Sequence, residues 1–252
     1  MNRGTYSMSV PSGFHVVGAA AATRGVAAAA LLLAAQAAWA QAPDASCGNP
    51  FVNHFGPYDY RTAPASTKAL VENIHFTSGV ATLTKPATTM FGLMAQDIGY
   101  TLQVFPNHPR ALLTMERAGD RFRRDPPPGA NFTVECWYLR AVRYRPDDTV
   151  ARGLYAQFLG RRKRIPEAVR QLDQAAEIAK DNALSLFSIG LVFVELGLHD
   201  KALPLAHRVQ AMGYPRQELI NALKAAGRWS EPPTAASAPA SAASSAAEKP
   251  TS

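Results

Sequence analysis

Apolar positions from Thr88 onward recur with the period of an α-helix. After Ile165-Pro166-Glu167, the residues Ala168, Leu172, Ala175 and Ile178/Ala179 fall at i, i+4, i+7 and i+10/11, one face of a helix. The proline sits in the first turn, where its missing N–H costs little. Leu186, Ile189, Gly190 and Phe193 form a second such face, and Gly197 follows as a natural helix end. Residues 201–212 predict a third helix, with Pro204 in its first turn, and residues 217–226 a short last one that stops at Gly227. Residues 41–90 carry a different pattern. Phe51, Phe55, Tyr58, Tyr60 and Phe76 are interleaved with the turn formers Gly48-Asn49-Pro50 and Gly56-Pro57, and no helical period stands out before Thr67. Residues 73–82 are β-branched and aromatic in places and allow a short strand, while residues 67–73 also fit a helix. The tail, residues 230–252, is mostly Pro, Ala and Ser; it has too little apolar area to offset its ordering entropy and is expected to be disordered.

The predicted helices pair with a fixed period. In a unit starting at Ala183, Leu186, Ile189, Gly190 and Phe193 occupy the first helix, Gly197 the turn, and Ala202, Ala206 and Val209 the second helix. A unit starting at Thr149 places Tyr155, Ala156 and Leu159 on its first helix and Ala168, Leu172 and Ala175 on its second. A unit from Pro109 carries Leu112 and Met115, then Tyr138, Ala141 and Pro146, with an insertion around Asp125-Pro126-Pro127-Pro128-Gly129-Ala130. Residues 91–108 look like the second helix of a partial unit. The pattern resembles the tetratricopeptide repeat. It departs from that repeat at Ala206, Val209 and Arg152, and Pro215 comes one position late. The resemblance implies an all-α fold, a short solenoid of helical hairpins (units near 109–148, 149–182 and 183–216, and a capping helix at 217–227). The competing fold is a generic helical bundle. One hairpin cannot bury its own apolar face, so several must stack.

Composition changes the picture mainly at the ends. The chain has 252 residues, 47% hydrophobic and 18% charged, with net charge +7. Residues 26–38, VAAAALLLAAQAA, are too short to span a bilayer as a helix. They follow Arg3 and Arg24 and precede Ala38-Trp39-Ala40, the order of a secretory signal peptide, residues 1–40, cleaved after Ala40; Met8 is an alternative start. A buried alanine-rich helix is the competing reading. Export places the protein in the periplasm or outside the cell, with no integral span after cleavage. In such an oxidising compartment Cys47 and Cys136 are expected to pair, the alternative being two buried free thiols.

Catalytic signatures are missing. No G-x-S-x-G, P-loop or dinucleotide fingerprint occurs, the histidines lack metal-ligand spacing, and no catalytic residue, metal ligand or cofactor is assigned. Basic clusters at Arg121/Arg123/Arg124, Arg140/Arg143/Arg145 and Arg161/Arg162/Lys163/Arg164 read as solvated turns and helix ends, and export argues against nucleic acid. The resemblance implies that the first helix of each pair lines a concave groove. The matching positions are Arg110, Leu113 and Arg117, then Val150 and Gln157, then the apolar set Leu184, Phe187, Leu191 and Val194. An external protein or peptide partner fits that groove. So does the chain's own segment around Phe55 to Tyr60, pinned by Cys47 to Cys136. The functional expectation is a non-catalytic protein- or peptide-binding scaffold of the periplasm or cell envelope. The alternative is an enzyme or transport accessory subunit with its active part in residues 42–100, marked by convergence of His54, Asp59 and His75 in one pocket.

Overall fold

The computed structural model describes residues 45–84, 88–89 and 92–232. The expected signal peptide and its cleavage site, and the tail beyond residue 232, lie outside the described residues.

The described chain is all-α. After a 3₁₀ turn at Ala45–Cys47 come α1 (Ala65–His75), α2 (Ser78–Ala81), α3 (Met94–Val104), α4 (Pro109–Phe122), α5 (Val134–Tyr144), α6 (Thr149–Arg161), α7 (Ile165–Ala179), α8 (Ala183–Glu195), α9 (His199–Ala211) and α10 (Glu218–Ala225). A minimal antiparallel pair, Thr88–Thr89 with Gly92–Leu93, precedes α3. The strand expected within residues 73–82 is not there: α1 runs through His75 and α2 covers Ser78–Ala81. The β-branched Val71 and Ile74 are outvoted by Ala, Lys, Leu and Glu neighbours, and burial of Val71 fixes the helix against α3. Pro204 also differs from expectation. Helix α9 begins at His199, so the proline is interior rather than in the first turn.

Local chemistry sets most helix starts. Thr133, Asp148 and Asn182 each cap a following helix by accepting backbone N–H groups. Pro109 and Pro166 occupy first turns. Helices α6 and α7 form one closely packed hairpin and α8 and α9 another, and the three-residue turn 162–164 forces the first pair antiparallel. Helix α6 also packs on α4 and on α8, and α8 on α10. One apolar core runs continuously from Phe76 through Ile98, Leu112, Trp137, Phe158, Leu172, Phe193 and Leu205 to Leu223. Two helical glycines allow close approach: a Cβ on Gly160 would strike Leu196, and one on Gly190 would strike Leu219.

A polar clamp couples α4, α5 and α6. The Glu116 carboxylate, 4% exposed, accepts from Arg161 Nε and Nη2 at 2.8 and 2.7 Å and from the Tyr138 hydroxyl at 2.7 Å. Removing one partner of a buried pair strands the other charge. Arg161 is itself half exposed, so water will soften the loss; Arg161→Ala is expected to cost about 2 kcal/mol in urea unfolding. A change below roughly 0.5 kcal/mol would show that the clamp is a solvated surface pair.

Candidate functional site

Helices α6 and α8 are held beside each other at both ends. At their starts Thr149 Oγ1 and Ser185 Oγ lie 3.3 Å apart, and near their ends Gln157 Nε2 donates to Glu195 Oε2 at 2.6 Å. Their starts are fixed by caps: Asp148 accepts from Val150 N and Ala151 N, and Asn182 from Ser185 N. Between the two ties opens a cleft of about 470 Å³. Val150, Gly153, Leu154 and Gln157 form one wall, and Leu184, Ser188, Leu191 and Val192 the other. The Phe187 ring, 2% exposed, belongs to the floor, packed 5.3 Å from Tyr214. Arg216 reaches the rim from the turn before α10, its guanidinium 5.1 Å from the Phe187 ring centre.

Two features of this cleft lack a structural explanation within the fold. Val150 is 54% and Leu184 56% exposed, two large aliphatic side chains left in water on facing walls. Gly153 sits in the interior of α6, where glycine costs about 1 kcal/mol relative to alanine. Unlike Gly160 and Gly190, it has no neighbour demanding the missing Cβ, because nothing lies within 4 Å of where that atom would stand. The space it keeps open belongs to the cleft.

Of the groove positions, Val150, Gln157, Leu184, Phe187 and Leu191 meet in this cleft. Val194 is half-buried against the core elsewhere on α8. Arg110, Leu113 and Arg117 lie on α4 outside the cleft, with the Arg110 guanidinium 5.8 Å from the centre of the Phe76 ring. Gly153 and Arg216 join the cleft without being among the groove positions of the repeat pattern. A glycine interrupting a good helical pattern was the available signal for the first; Arg216 arrives from a turn and left none.

The segment around Phe55 to Tyr60 does not fill the cleft and lines none of it. It docks instead on the C-terminal ends of α3 and α5. Cys47 is disulfide-bonded to Cys136 on α5, and the Cys47 and Gly48 carbonyls accept from Arg140 and Arg143. Tyr58 N donates to Val104 O at 2.8 Å, and the Tyr144 hydroxyl donates to Pro57 O at 3.0 Å. Phe55, Tyr60 and Tyr100 pack around the small core of Ala63, Val71, Val104 and Phe105. Its aromatic rings pack on Phe105 and His108: Tyr58 and Tyr60 lie against Phe105, and Tyr60 stacks on His108.

Asp59 anchors that docking. Asn107 Nδ2 donates to both Asp59 Oδ1 and Asp148 Oδ2 at 2.8 Å, and Arg61 and Arg145 pair with Asp59 at 2.7 and 2.8 Å. Burial alone would raise the Asp59 carboxyl, but hydrogen bonds from Arg61 and Asn107 override it and hold the group well below the usual carboxylate range. Asp59 is thus committed to structure, and it does not join His54 and His75. Those two histidines do share a cavity of about 360 Å³, lined also by Phe55, Leu70, Val71, Ile74 and Tyr100. His75 Nδ1 lies 2.9 Å from the buried Asp97 Oδ1. No group of three or more His, Cys, Asp or Glu residues able to hold a metal occurs among the described residues.

No family model, curated protein or solved structure matches the chain. No helix among the described residues is long and apolar enough to cross a membrane. That and the disulfide are compatible with an extracytoplasmic protein.

Proposed function

We propose that the protein is an exported scaffold of tetratricopeptide-like helical hairpins that binds a protein or peptide of the periplasm or cell envelope in the α6–α8 cleft. The carrying observation is Gly153. A helix-interior glycine that no neighbour needs, opposite an exposed Leu184 and beside an exposed Val150, fits a wall shaped for an external group to approach the backbone. The hairpins α4/α5, α6/α7 and α8/α9 and the close approaches at Gly160 and Gly190 support the family reading. The mostly apolar cleft wall favours recognition by buried side chains over catalysis.

The test uses positions that the fold does not need. Gly153→Leu should fill the cleft while raising stability by up to about 1 kcal/mol, since the helix loses a glycine and the added Cβ meets nothing within 4 Å. Leu184→Glu should leave folding unchanged. In pull-downs from periplasm, partners captured by the wild type should be lost with both variants. Undiminished recovery with Gly153→Leu would defeat the cleft as the binding site.

A further inference from the structure

The basic residues at the ends of α4 and α6 divide into two groups. Arg121, Arg161 and Arg164 are bound within the fold: Arg121 donates to the Leu83 carbonyl, Arg161 to Glu116, and Arg164 to Glu135 and Glu167. Arg123 and Arg124, together with Arg162, whose guanidinium is stacked 3.8 Å from the centre of the Phe158 ring, line one cavity of about 380 Å³, where the end of α4 meets the start of α5. Asp120 and Asp125 line it as well, but Asp125 Oδ1 already accepts from Val134 N at 2.7 Å. Arg123 and Arg124 have no carboxylate partner among the described residues. Arg162 lies 3.9 Å from Glu116, a carboxylate that Arg161 already holds on both oxygens.

One further observation points to an anion. Arg123 closes α4 with φ 50°, a left-handed conformation that glycine adopts without the Cβ penalty. A basic side chain there gains from the helix dipole, but Arg121 in the last turn of α4 already supplies that gain. Val134, the first residue of α5, also forms part of the cavity wall, but its N–H is already given to Asp125 and the negative end of α4 borders the same space, so the arginines alone supply the positive charge.

We propose that this cavity binds a phosphate-class oxyanion, held by the guanidinium groups of Arg123, Arg124 and Arg162. Planar guanidinium forks match phosphate oxygens two at a time. The cavity opens to solvent, so the oxyanion can belong to a soluble phosphate or phosphate ester or to an anionic lipid headgroup. The site is separate from the α6–α8 cleft, and its occupancy does not depend on that cleft's function.

Inorganic phosphate is the first probe, titrated at constant ionic strength into the isotope-labelled protein. Its addition should shift the Nε–H resonances of the three arginines saturably. Arg123→Gly removes a guanidinium and relaxes the backbone, so it should weaken phosphate binding about tenfold or more, the scale of one charge-assisted contact, without lowering the thermal midpoint. Arg124→Gln should weaken it likewise, and Arg170→Gln, exposed and outside the cavity, should not. Phosphatidylcholine vesicles doped with phosphatidic acid distinguish the sources. Sedimentation that inorganic phosphate suppresses and Arg123→Gly abolishes assigns a lipid headgroup; phosphate binding with no sedimentation assigns a soluble phosphate or phosphate ester. Equal phosphate affinity in wild type and Arg123→Gly overturns the proposal. So do equal shifts with chloride, or vesicle binding that survives Arg123→Gly.

Discussion

Breaking the Cys47–Cys136 bond should destabilise the protein by about 4 kcal/mol, because the bond closes a loop of 89 residues of sequence separation and restricts the unfolded chain accordingly. Both cysteines are buried, at 1% and 5% exposure, so the measurement is best made on a Cys47→Ser/Cys136→Ala double variant. Urea unfolding should show a lower midpoint. The structural consequence should be local. Loss of the bond frees the Cys47 end of a segment otherwise held by hydrogen bonds from Arg140, Arg143 and Tyr144 and by the Asp59 network. Hydrogen exchange should therefore rise first at the Tyr58 N–H, bonded to Val104 O, and much less on α8 and α9. A double variant within about 1 kcal/mol of the wild type would mean that the noncovalent docking alone fixes the segment and that the loop model fails here. Alkylation mass spectrometry of the purified protein should find no thiol.

The docking has a bearing on the cleft. Because residues 45–63 cover the ends of α3 and α5 and not the walls of α6 and α8, the cleft is not closed by this part of the chain. Deleting residues 42–62 would uncover Phe105 and, by removing Asp59, leave Asn107 and Arg145 without that partner rather than release a binding surface. It is a test of stability, and it is uninformative about autoinhibition.

What the sequence revealed follows from which interactions are local. Helices α4 to α10 announce themselves because their starts and stops are written within a few residues: Pro109, Asp148, Pro166 and Asn182 at the starts, Gly197 and Gly227 at the ends. Helix α1 shows only in part, as the helical reading of residues 67–73 that the structure extends to Ala65–His75, because it is stabilised by Val71 against α3, about thirty positions away, and its own pattern is weak. Five groove positions meet in the cleft because spacing on a helix fixes a shared face. Arg216, coming from a turn, has no such periodicity. The docked segment rests on the pairings most distant in sequence. Its aromatic rings were visible, but their destination depends on Asn107 bridging Asp59 to Asp148 and on Tyr60 stacking on His108, pairings of 41 to 48 residues' separation. The basic runs carried two meanings that sequence could not separate. Arg161 clamps the buried Glu116 and Arg164 pairs with the half-buried Glu135 and Glu167, whereas Arg123 and Arg124, earlier in the chain, hold no carboxylate among the described residues.

Acidification from pH 7 to 4 should remove about 3 kcal/mol of stability through one residue, His108. Its ring is 1% exposed, stacked 4.0 Å from Tyr60 and packed edge-on 4.9 Å from Phe76. Nδ1 accepts from Ala111 N at 3.3 Å, capping α4, which leaves the proton on Nε2, 3.2 Å from Glu72 Oε1. Burial disfavours the imidazolium; Glu72 opposes that in part, Arg110 adds to it, and the net effect lowers the group from 6.5 to about 4. The sign follows from proton binding. Below pH 6.5 the unfolded chain protonates this histidine while the folded one does not, so acid favours unfolding until about pH 4, where the folded form also takes the proton. The contribution is therefore complete above 6.5 and lost through that window. Asp59 adds its own loss at the lower end of that range and below, as the unfolded chain protonates this carboxyl near its ordinary 3.8 while the folded one stays ionised, so the His108 contribution is read from the difference between two proteins that share Asp59. The control is His108→Asn, which retains a side-chain acceptor for the α4 cap but does not titrate. Its baseline stability should be lower because the ring stacking is gone, yet its pH dependence should be flatter by about 3 kcal/mol between pH 7 and 4. Stability curves of wild type and His108→Asn that run parallel across that range would rule out His108 as the acid-sensitive group.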